Sequence, residues 1–477
     1  MGTSTIFSLI FSIIYLLLII GTILIVISEN RNPSKTIAWL LLLVFLPAIG
    51  IIMYFIFGQD SRNKKFKGTS YQDFSDELIN SLSEYPEKLD LRSNKEKVRK
   101  EYHTLVELLE KSDNSWMTYG NDVEVITLGT RKFELLITDL ESAQNHIHME
   151  YFYFRKDETG KKIREILMRK ASQGVEVRFI HENVANIAVS PRFYNKMKKA
   201  GVEVVRFTKN RLSWIRRQLN FRDHRKIVII DGKVGYLGGM NIGNEYVDDW
   251  RDTHLRIKGQ AVNVLQSTFL YYFFCSGGKK IKNFNPYFPP YNIYSENLMQ
   301  IVPESPASKW QYLQFSMIHL INITQKYIYI QTPYYLPPEP LLQALQTAAL
   351  RGVDVRIMLS HKSDFAFMDP AIHSYYEESL QAGIKIFERF DKFMHAKSLV
   401  ADDYISIIGS ANLDFRSLEL SFEINSYIYD ENIAFQNKHI FLKEMELCEE
   451  LFLEEWIKRP WYKKLAESVM RLLSPLL

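Results

Sequence analysis

A histidine followed two residues later by a lysine occurs twice in this chain, and the second occurrence reproduces the surroundings of the first. "HRKIVIID" occupies 224–231 and "HAKSLVAD" occupies 395–402. His224, Lys226, Asp231, Gly238 and Asn241 recur as His395, Lys397, Asp402, Gly409 and Asn412, each 171 residues later, and the same offset relates Asp252 to Glu423. One His-x-Lys carries no signal, but a register of polar and glycine positions held over this distance does. A period this long means two fused homologous halves, not a solenoid. Upstream of each motif the order of elements also repeats. "HIHMEYFYF" (146–154), a helix-like "GKKIREILMRKASQG" and "VEVRFI" (175–180) are matched by "YIYIQTPYY" (327–335), "EPLLQALQTAALRG" and "VDVRIML" (353–359). Strand, helix and strand in that order predict a parallel pair. The expected fold class is α/β, with two pseudo-symmetric halves, each a mixed sheet flanked by helices.

A chain of 477 residues exceeds one ordinary core, so several folding units are expected. The first is apolar. No charged residue interrupts 6–27 or 36–57, and each run is long enough at 1.5 Å per residue to cross a hydrocarbon layer of about 30 Å. The expected organisation is a transmembrane hairpin over 1–67 (helices about 6–27 and 36–57), a polar linker over 68–116, and halves at 117–295 and 296–477. Pro47 is tolerable in a membrane helix. Arg62, Lys64, Lys65 and Lys67 follow the second run, against Arg31 and Lys35 at the connecting loop, which places the large remainder on the cytoplasmic side of a multi-pass cell-membrane protein.

In a strand, residues i and i+2 share a face, so His224 and Lys226 point one way, as do His395 and Lys397. "HRKIVII", the turn "DGK" and "VGYLGG" read as a hairpin, with Asp231 at the turn, facing away from the imidazole. Asp231 and Asp402 are therefore expected to brace the motif without touching a reacting atom. Two imidazoles and two ammoniums converging on one point make a phosphate socket. The lysines hold oxygens, one imidazole attacks phosphorus and the other protonates the leaving alcohol, so two copies are needed and no metal or other cofactor is. A histidine nucleophile needs its far nitrogen held by a carboxylate, for which Asp252 and Glu423 are the candidates. Asn241 and Asn412 are placed to bond phosphate oxygens or the turn.

Paired His-x-Lys-x4-Asp segments, each followed by Gly-Gly/Ser-x-Asn, resemble the phospholipase D superfamily. "NFRDHRKIVIIDGKVGYLGGMNIGNEY", "WRDTHLRIKG", "QTPYYLPPEPLLQALQTAALRGVDVRIML" and "RLLSPLL" behind a double apolar N-terminus narrow the likeness to bacterial cardiolipin synthases. Ser421 stands where that likeness leads one to expect asparagine. The resemblance implies transfer of a phosphatidyl group between two phosphatidylglycerol molecules through a phosphohistidine, giving cardiolipin and glycerol. It implies His224, Lys226, Asp231, His395, Lys397 and Asp402 as the active-site residues, with His224 as nucleophile. A phospholipase D-type hydrolase releasing phosphatidic acid, a transferase using serine or ethanolamine, and an inactive membrane scaffold stay as alternatives; both intact pairs weigh against the last.

A net charge of +4 and the lack of interleaved basic and aromatic stretches speak against a nucleic-acid partner. Cys275 and Cys448 lie far apart and suit neither a disulfide framework nor zinc. "HIH" at 146–148 reads as part of a strand, and Trp250 suits either a socket wall or the core. The basic runs "RNKKFK" and "GGKKIK" suit anionic lipid headgroups or plain surface. From Trp461 onward, Leu465, Val469, Leu472 and Leu473 form one helical stripe, which predicts an amphipathic helix able to lie against anionic membrane lipids or pack on the core.

Overall fold

The computed structural model describes residues 3–28, 33–54, 58, 74, 76–78, 95–112, 115–207 and 221–474. They fall into two compact units, one N-terminal and one carrying both histidine motifs.

In the N-terminal unit, Thr3–Ser28 is one helix, whereas the second apolar run divides into Pro33–Phe45 and Pro47–Met53. The break is at Leu46 (φ −134°, ψ 65°). A proline ring clashes with the residue before it and pushes that residue out of the helical region. The expected continuous helix over 36–57 is thus interrupted, and among the described residues one helix, Ile6–Ser28, is long and apolar enough to span a membrane. Val26, Leu43 and Tyr54 are buried together, with Trp39 edge-on to Tyr54 at 5.6 Å. Residues 29–32 and the run 62–67, on which the hairpin loop and the charge asymmetry rest, lie outside the described residues.

In the second unit both halves feed one continuous mixed sheet. Met117–Ile126 pairs antiparallel with His254–Lys258 of its own half and with Asn297–Glu304 of the other, which joins the halves. Its register shifts between Thr118 and Asn121, where Gly120 has φ 78°. The segment read as a polar linker ends in packed structure: the helix His103–Glu110 buries Leu105, Val106 and Leu109 in the core of the second half. Their i, i+1, i+4 spacing supplies the apolar stripe that a surface helix turns inward.

The repeated strand–helix–strand units form parallel pairs, His146–Tyr151 with Glu176–His181 and Tyr327–Gln331 with Asp354–Ser360. Tyr151 lies opposite both His181 and Lys226, and Gln331 opposite both Met358 and Ser398. Each His-x-Lys therefore sits at the carboxyl ends of its half's parallel strands, where ligands bind in open α/β sheets.

Each motif continues into a hairpin. Lys226–Ile230 returns as Val234–Gly238, and Ser398–Ala401 as Ile405–Gly409. The turn residues Asp231 (φ 53°) and Gly232 (φ 64°), and Asp402 (φ 52°) and Asp403 (φ 56°), are all left-handed, as a type I′ turn requires. Asp231 accepts hydrogen bonds from the backbone N–H groups of Gln144 (2.8 Å), Asn145 (2.7 Å) and His146 (2.9 Å). Asp402 does the same for Gln325 (2.7 Å), Lys326 (2.8 Å) and Tyr327 (3.2 Å). Both carboxylates tie the hairpin to the start of the neighbouring strand, at the end away from the imidazoles. Asp231→Ala leaves three N–H groups unpaired, two of them at exposed residues, and should lower unfolding stability by about 2–4 kcal/mol. Urea unfolding of the purified chain measures this; a loss below about 0.5 kcal/mol would contradict the bracing role.

Candidate active site

Just ahead of each motif the backbone crosses to the other half. Arg222–Asp223 pairs in parallel with Ser421 and Phe422, and the His224 N–H donates to the Phe422 carbonyl at 2.9 Å. Phe393–Met394 pairs with Trp250 and Arg251, and the His395 N–H donates to the Arg251 carbonyl at 2.7 Å. Ser421, the position expected to hold asparagine, lies in this bridge opposite Arg222. The crossing sets each imidazole against the opposite half's carboxylate. His224 Nδ1 is 2.9 and 3.2 Å from the two Glu423 oxygens, and His395 Nδ1 is 2.6 Å from Asp252 Oδ2. A carboxylate at Nδ1 fixes the tautomer and leaves Nε2 as the reactive nitrogen. The carboxylates are anchored in turn: the Thr253 N–H donates to Asp252 at 2.7 Å, and the Ser410 hydroxyl donates to Glu423. A Cβ on Gly239 would stand 2.1 Å from Asp252 Oδ1, which explains the glycine there.

Lys226 and Lys397 are buried beside the rings. Lys226 Nζ donates to the His224 carbonyl at 2.6 Å, and Lys397 Nζ lies 2.8 Å from His395 Nδ1. Burial, then the neighbouring Lys397, brings the Lys226 ammonium down to about 7. Burial brings Lys397 to about 8 against the pull of Asp252 and Glu423. His395 falls to about 3 through burial and Lys397, and His224 is pushed down by burial and both lysines. Glu423 rises to about 8 because burial outweighs Lys226 and Ser410. Burial would raise Asp252 as well, but Lys397 and His395 overcome it and hold this carboxyl below its usual range.

The protonated lysines are the forms that attract an anion, so binding of a phosphodiester should be strongest below pH 7 and weaken as pH rises through 7 to 8. Once bound, the anion raises both lysine pKa values. The alkaline fall in kcat/KM should therefore begin lower in pH than the fall in kcat, and a steady-state pH profile on the two parameters tests it. Identical alkaline limbs would contradict this.

Aromatic rings wall the site. Phe152 stands 4.9 Å from His224, and Trp250 (5.0 Å), Tyr246 (5.6 Å) and Phe393 (5.9 Å) surround His395. Trp250 is a wall residue. Asn241 serves the scaffold: it accepts from the Tyr153 N–H at 3.0 Å and donates to the Tyr246 hydroxyl at 2.6 Å. Asn412 is buried and bonds Asp414. His146 and His148 lie in the sheet against Gln266, at 3.2 and 2.8 Å.

Sequence reading passed over Arg225, between His224 and Lys226. It is fully buried, with Nε 2.9 Å from Asp223 Oδ1, Nη2 2.7 Å from Glu150 Oε1 and its guanidinium 3.6 Å from the Tyr272 ring centre. Alternation along an extended segment was the available signal, because it turns Arg225 to the face opposite His224 and Lys226, where a charge needs partners.

The family described as "Cardiolipin synthase, PLD-like domain" matches residues 136–271 and 317–445, once in each half. A cardiolipin synthase of Listeria monocytogenes serotype 4a is 39% identical over 459 residues, covering 94% of this chain and 95% of its own. The chain belongs to the cardiolipin synthase family. The major cardiolipin synthase ClsA of Bacillus subtilis is 36% identical over 480 residues, 98% of this chain and 99% of its own. Residues 13–59 match the family described as "Phospholipase_D-nuclease N-terminal". Among solved structures, the phosphatidylserine synthase of Haemophilus influenzae superposes with a TM-score of 0.60 over 79% of this chain and 98% of its own, at 14% identity, and so shares the fold. The family is one of phosphatidyltransferases on the phospholipase D fold, and the large mixed sheet with two like halves is that fold.

Proposed function

We propose that the chain is a membrane-anchored cardiolipin synthase that passes a phosphatidyl group from one phosphatidylglycerol to a second and releases glycerol. The observation that carries the mechanism is the crossed pair of carboxylate-held imidazoles beside two buried lysines. His224 Nε2 attacks phosphorus, the bond to the glycerol oxygen breaks, and His395, which takes up a proton as the anionic phosphodiester binds beside it, gives that proton to the leaving oxygen. His395 then takes the proton of a hydroxyl on the second phosphatidylglycerol, whose oxygen displaces His224 from phosphorus. Lys226 and Lys397 hold the non-bridging oxygens through both steps. The test is to give the detergent-purified chain phosphatidylglycerol as sole lipid without added metal and resolve the products by mass spectrometry. Cardiolipin with equimolar glycerol is the expected result; phosphatidic acid without cardiolipin would put water in the acceptor's place and replace this reading with the hydrolase.

The apolar Ile6–Ser28 helix supports membrane attachment. In the fuller reading, the chain crosses twice, through about 6–27 and 36–57 with a bend at Pro47, and holds the halves at 117–295 and 296–477 in the cytoplasm. Protection of the C-terminus from protease in intact cells, lost on lysis, is the expected outcome.

The helix Trp461–Arg471 supports contact with anionic lipid, because it is inverted relative to an ordinary surface helix. Its polar side meets the protein: Glu467 is 6% exposed and paired with Arg459 at 2.7 Å, and Arg471 donates to the Ser374 carbonyl at 3.1 Å. Trp461, Leu465, Val469 and Leu472 are instead 74%, 56%, 52% and 79% exposed, with Lys458 and Lys463 exposed beside them. An interfacial helix needs an outward apolar face edged by cations. Leu465→Glu with Val469→Glu should slow turnover of phosphatidylglycerol in bilayers by about ten-fold or more, given roughly 1.5–3 kcal/mol for each apolar side chain, and spare turnover of a short-chain, monomeric analogue. Equal loss on both substrates would contradict lipid contact.

A further inference from the structure

The loops around the site carry exposed apolar side chains in both halves, and this repetition has no use in the core. After the second strand of the first strand–helix–strand unit, Val184 and Ile187 are 42% and 85% exposed. After the equivalent strand of the second half, Phe365 and Phe367 are 50% and 54% exposed, and Phe390, past the next parallel strand, is 50% exposed. All follow the carboxyl ends of strands, the end at which the histidines lie in each half. Single exposed apolar residues are ordinary, but four in two loops related by an internal duplication, with Phe390 in a further loop at the same strand ends, exceed that.

These loops are held in place. Asn186 donates to the Phe152 carbonyl at 2.6 Å and accepts from the Phe154 N–H at 2.9 Å, which ties the first loop to the ring beside His224. The Ser363 N–H donates to Asp369 at 2.8 Å, and Tyr334 donates to Asp364 at 2.6 Å. His361 stacks on Phe390 at 4.0 Å while its Nδ1 lies 2.8 Å from Glu388. The apolar side chains are thus presented outward by backbone that is fixed from below. Lys156 and Lys362, in the same set of loops, are exposed as well.

We propose that this rim is the face by which the site enters the lipid surface: Val184, Ile187, Phe365, Phe367 and Phe390 sit among the acyl chains of an anionic bilayer, with the lysines at headgroup level. Seating the mouth there lets the phosphodiester reach the histidines while the acyl chains stay in hydrocarbon, so no diacyl tail has to be drawn into water. The proposal rests on the reading of the substrate as a bilayer phospholipid.

The test uses the full chain in phosphatidylglycerol-containing vesicles. Ile187→Cys and Phe365→Cys, each with Cys275→Ser and Cys448→Ser, carry an environment-sensitive fluorophore. Leu350→Cys serves as reference, because Leu350 is 74% exposed at the opposite end of its half's parallel strands. Lipid-borne nitroxide should quench labels at 187 and 365 at least about three-fold more than the label at 350, with iodide in the water showing the reverse order. Labels at 187 and 365 as open to iodide as the one at 350 would overturn the proposal, and so would shielding from both quenchers, which means cover by protein. The readout needs no turnover. Lipid quenching in a chain that makes no cardiolipin would remove the functional reading and leave the docking face. Cardiolipin made by a chain whose rim stays in water would do the opposite.

Discussion

Replacing either His224 or His395 with alanine should lower phosphatidyl transfer by roughly 10³-fold or more, with membrane attachment unchanged. In the proposed mechanism the two rings act on one phosphorus in sequence, so their losses should not add; the double variant should be about as slow as the worse single one. The identity of the nucleophile separates the two. A donor with an activated leaving group needs no proton from His395, so His395→Ala should still form the phosphohistidine at His224, yet fail to pass the group on. His224→Ala should form none. Acid-quenched protein analysed by intact mass shows the adduct directly. An adduct in His224→Ala and none in His395→Ala would reverse the roles, and full activity in either variant would end the two-histidine mechanism.

Glu423→Gln should resemble His224→Ala, and Asp252→Asn should resemble His395→Ala, each with a loss of about 10²–10⁴. This pairing runs against chain order, since Asp252 follows His224 and Glu423 follows His395. It comes from the contacts of 2.9 Å between His224 and Glu423 and 2.6 Å between His395 and Asp252. An amide at either position still fills the space but cannot become the anion that supports the ring's cationic form, so the ring loses that support. With the activated donor, adduct should accumulate in Asp252→Asn and not in Glu423→Gln. If Asp252→Asn instead behaves as His224→Ala does, the crossing plays no part in catalysis. The effect of burial on Glu423, raised to about 8 while Asp252 is held low, adds an asymmetry: the Glu423 side should respond more steeply to pH in the neutral range.

Much of the molecule was legible from local pattern. The strand–helix–strand order, the hairpins and the shared face of His and Lys follow from side-chain periodicity, which a stretch of a few residues already contains. Asp231 and Asp402 at left-handed turns were legible for the same reason: spacing parity put them off the catalytic face, and the structure shows their oxygens on backbone N–H groups. Duplication added what one copy cannot, because a register repeated at an offset of 171 residues includes His224, Lys226 and Asp252 with His395, Lys397 and Glu423, which the fold brings together.

Three features were decided elsewhere. The second apolar run breaks at Leu46, since a proline's steric demand on its neighbour is a backbone effect that hydropathy does not register. The helix Trp461–Arg471 turns its polar side inward, because Arg459, Ser374 and Glu378 supply partners for Glu467 and Arg471 that amphipathicity alone cannot reveal. The exchange of carboxylates depends on two bridges of two residues each, Arg222–Asp223 with Ser421 and Phe422, and Phe393–Met394 with Trp250 and Arg251. Segments this short carry no periodicity of their own. Sequence by itself singled out the paired groups and their duplication; the tertiary structure decided which carboxylate lies against which histidine, because that choice belongs to long-range strand pairing across the junction of the halves.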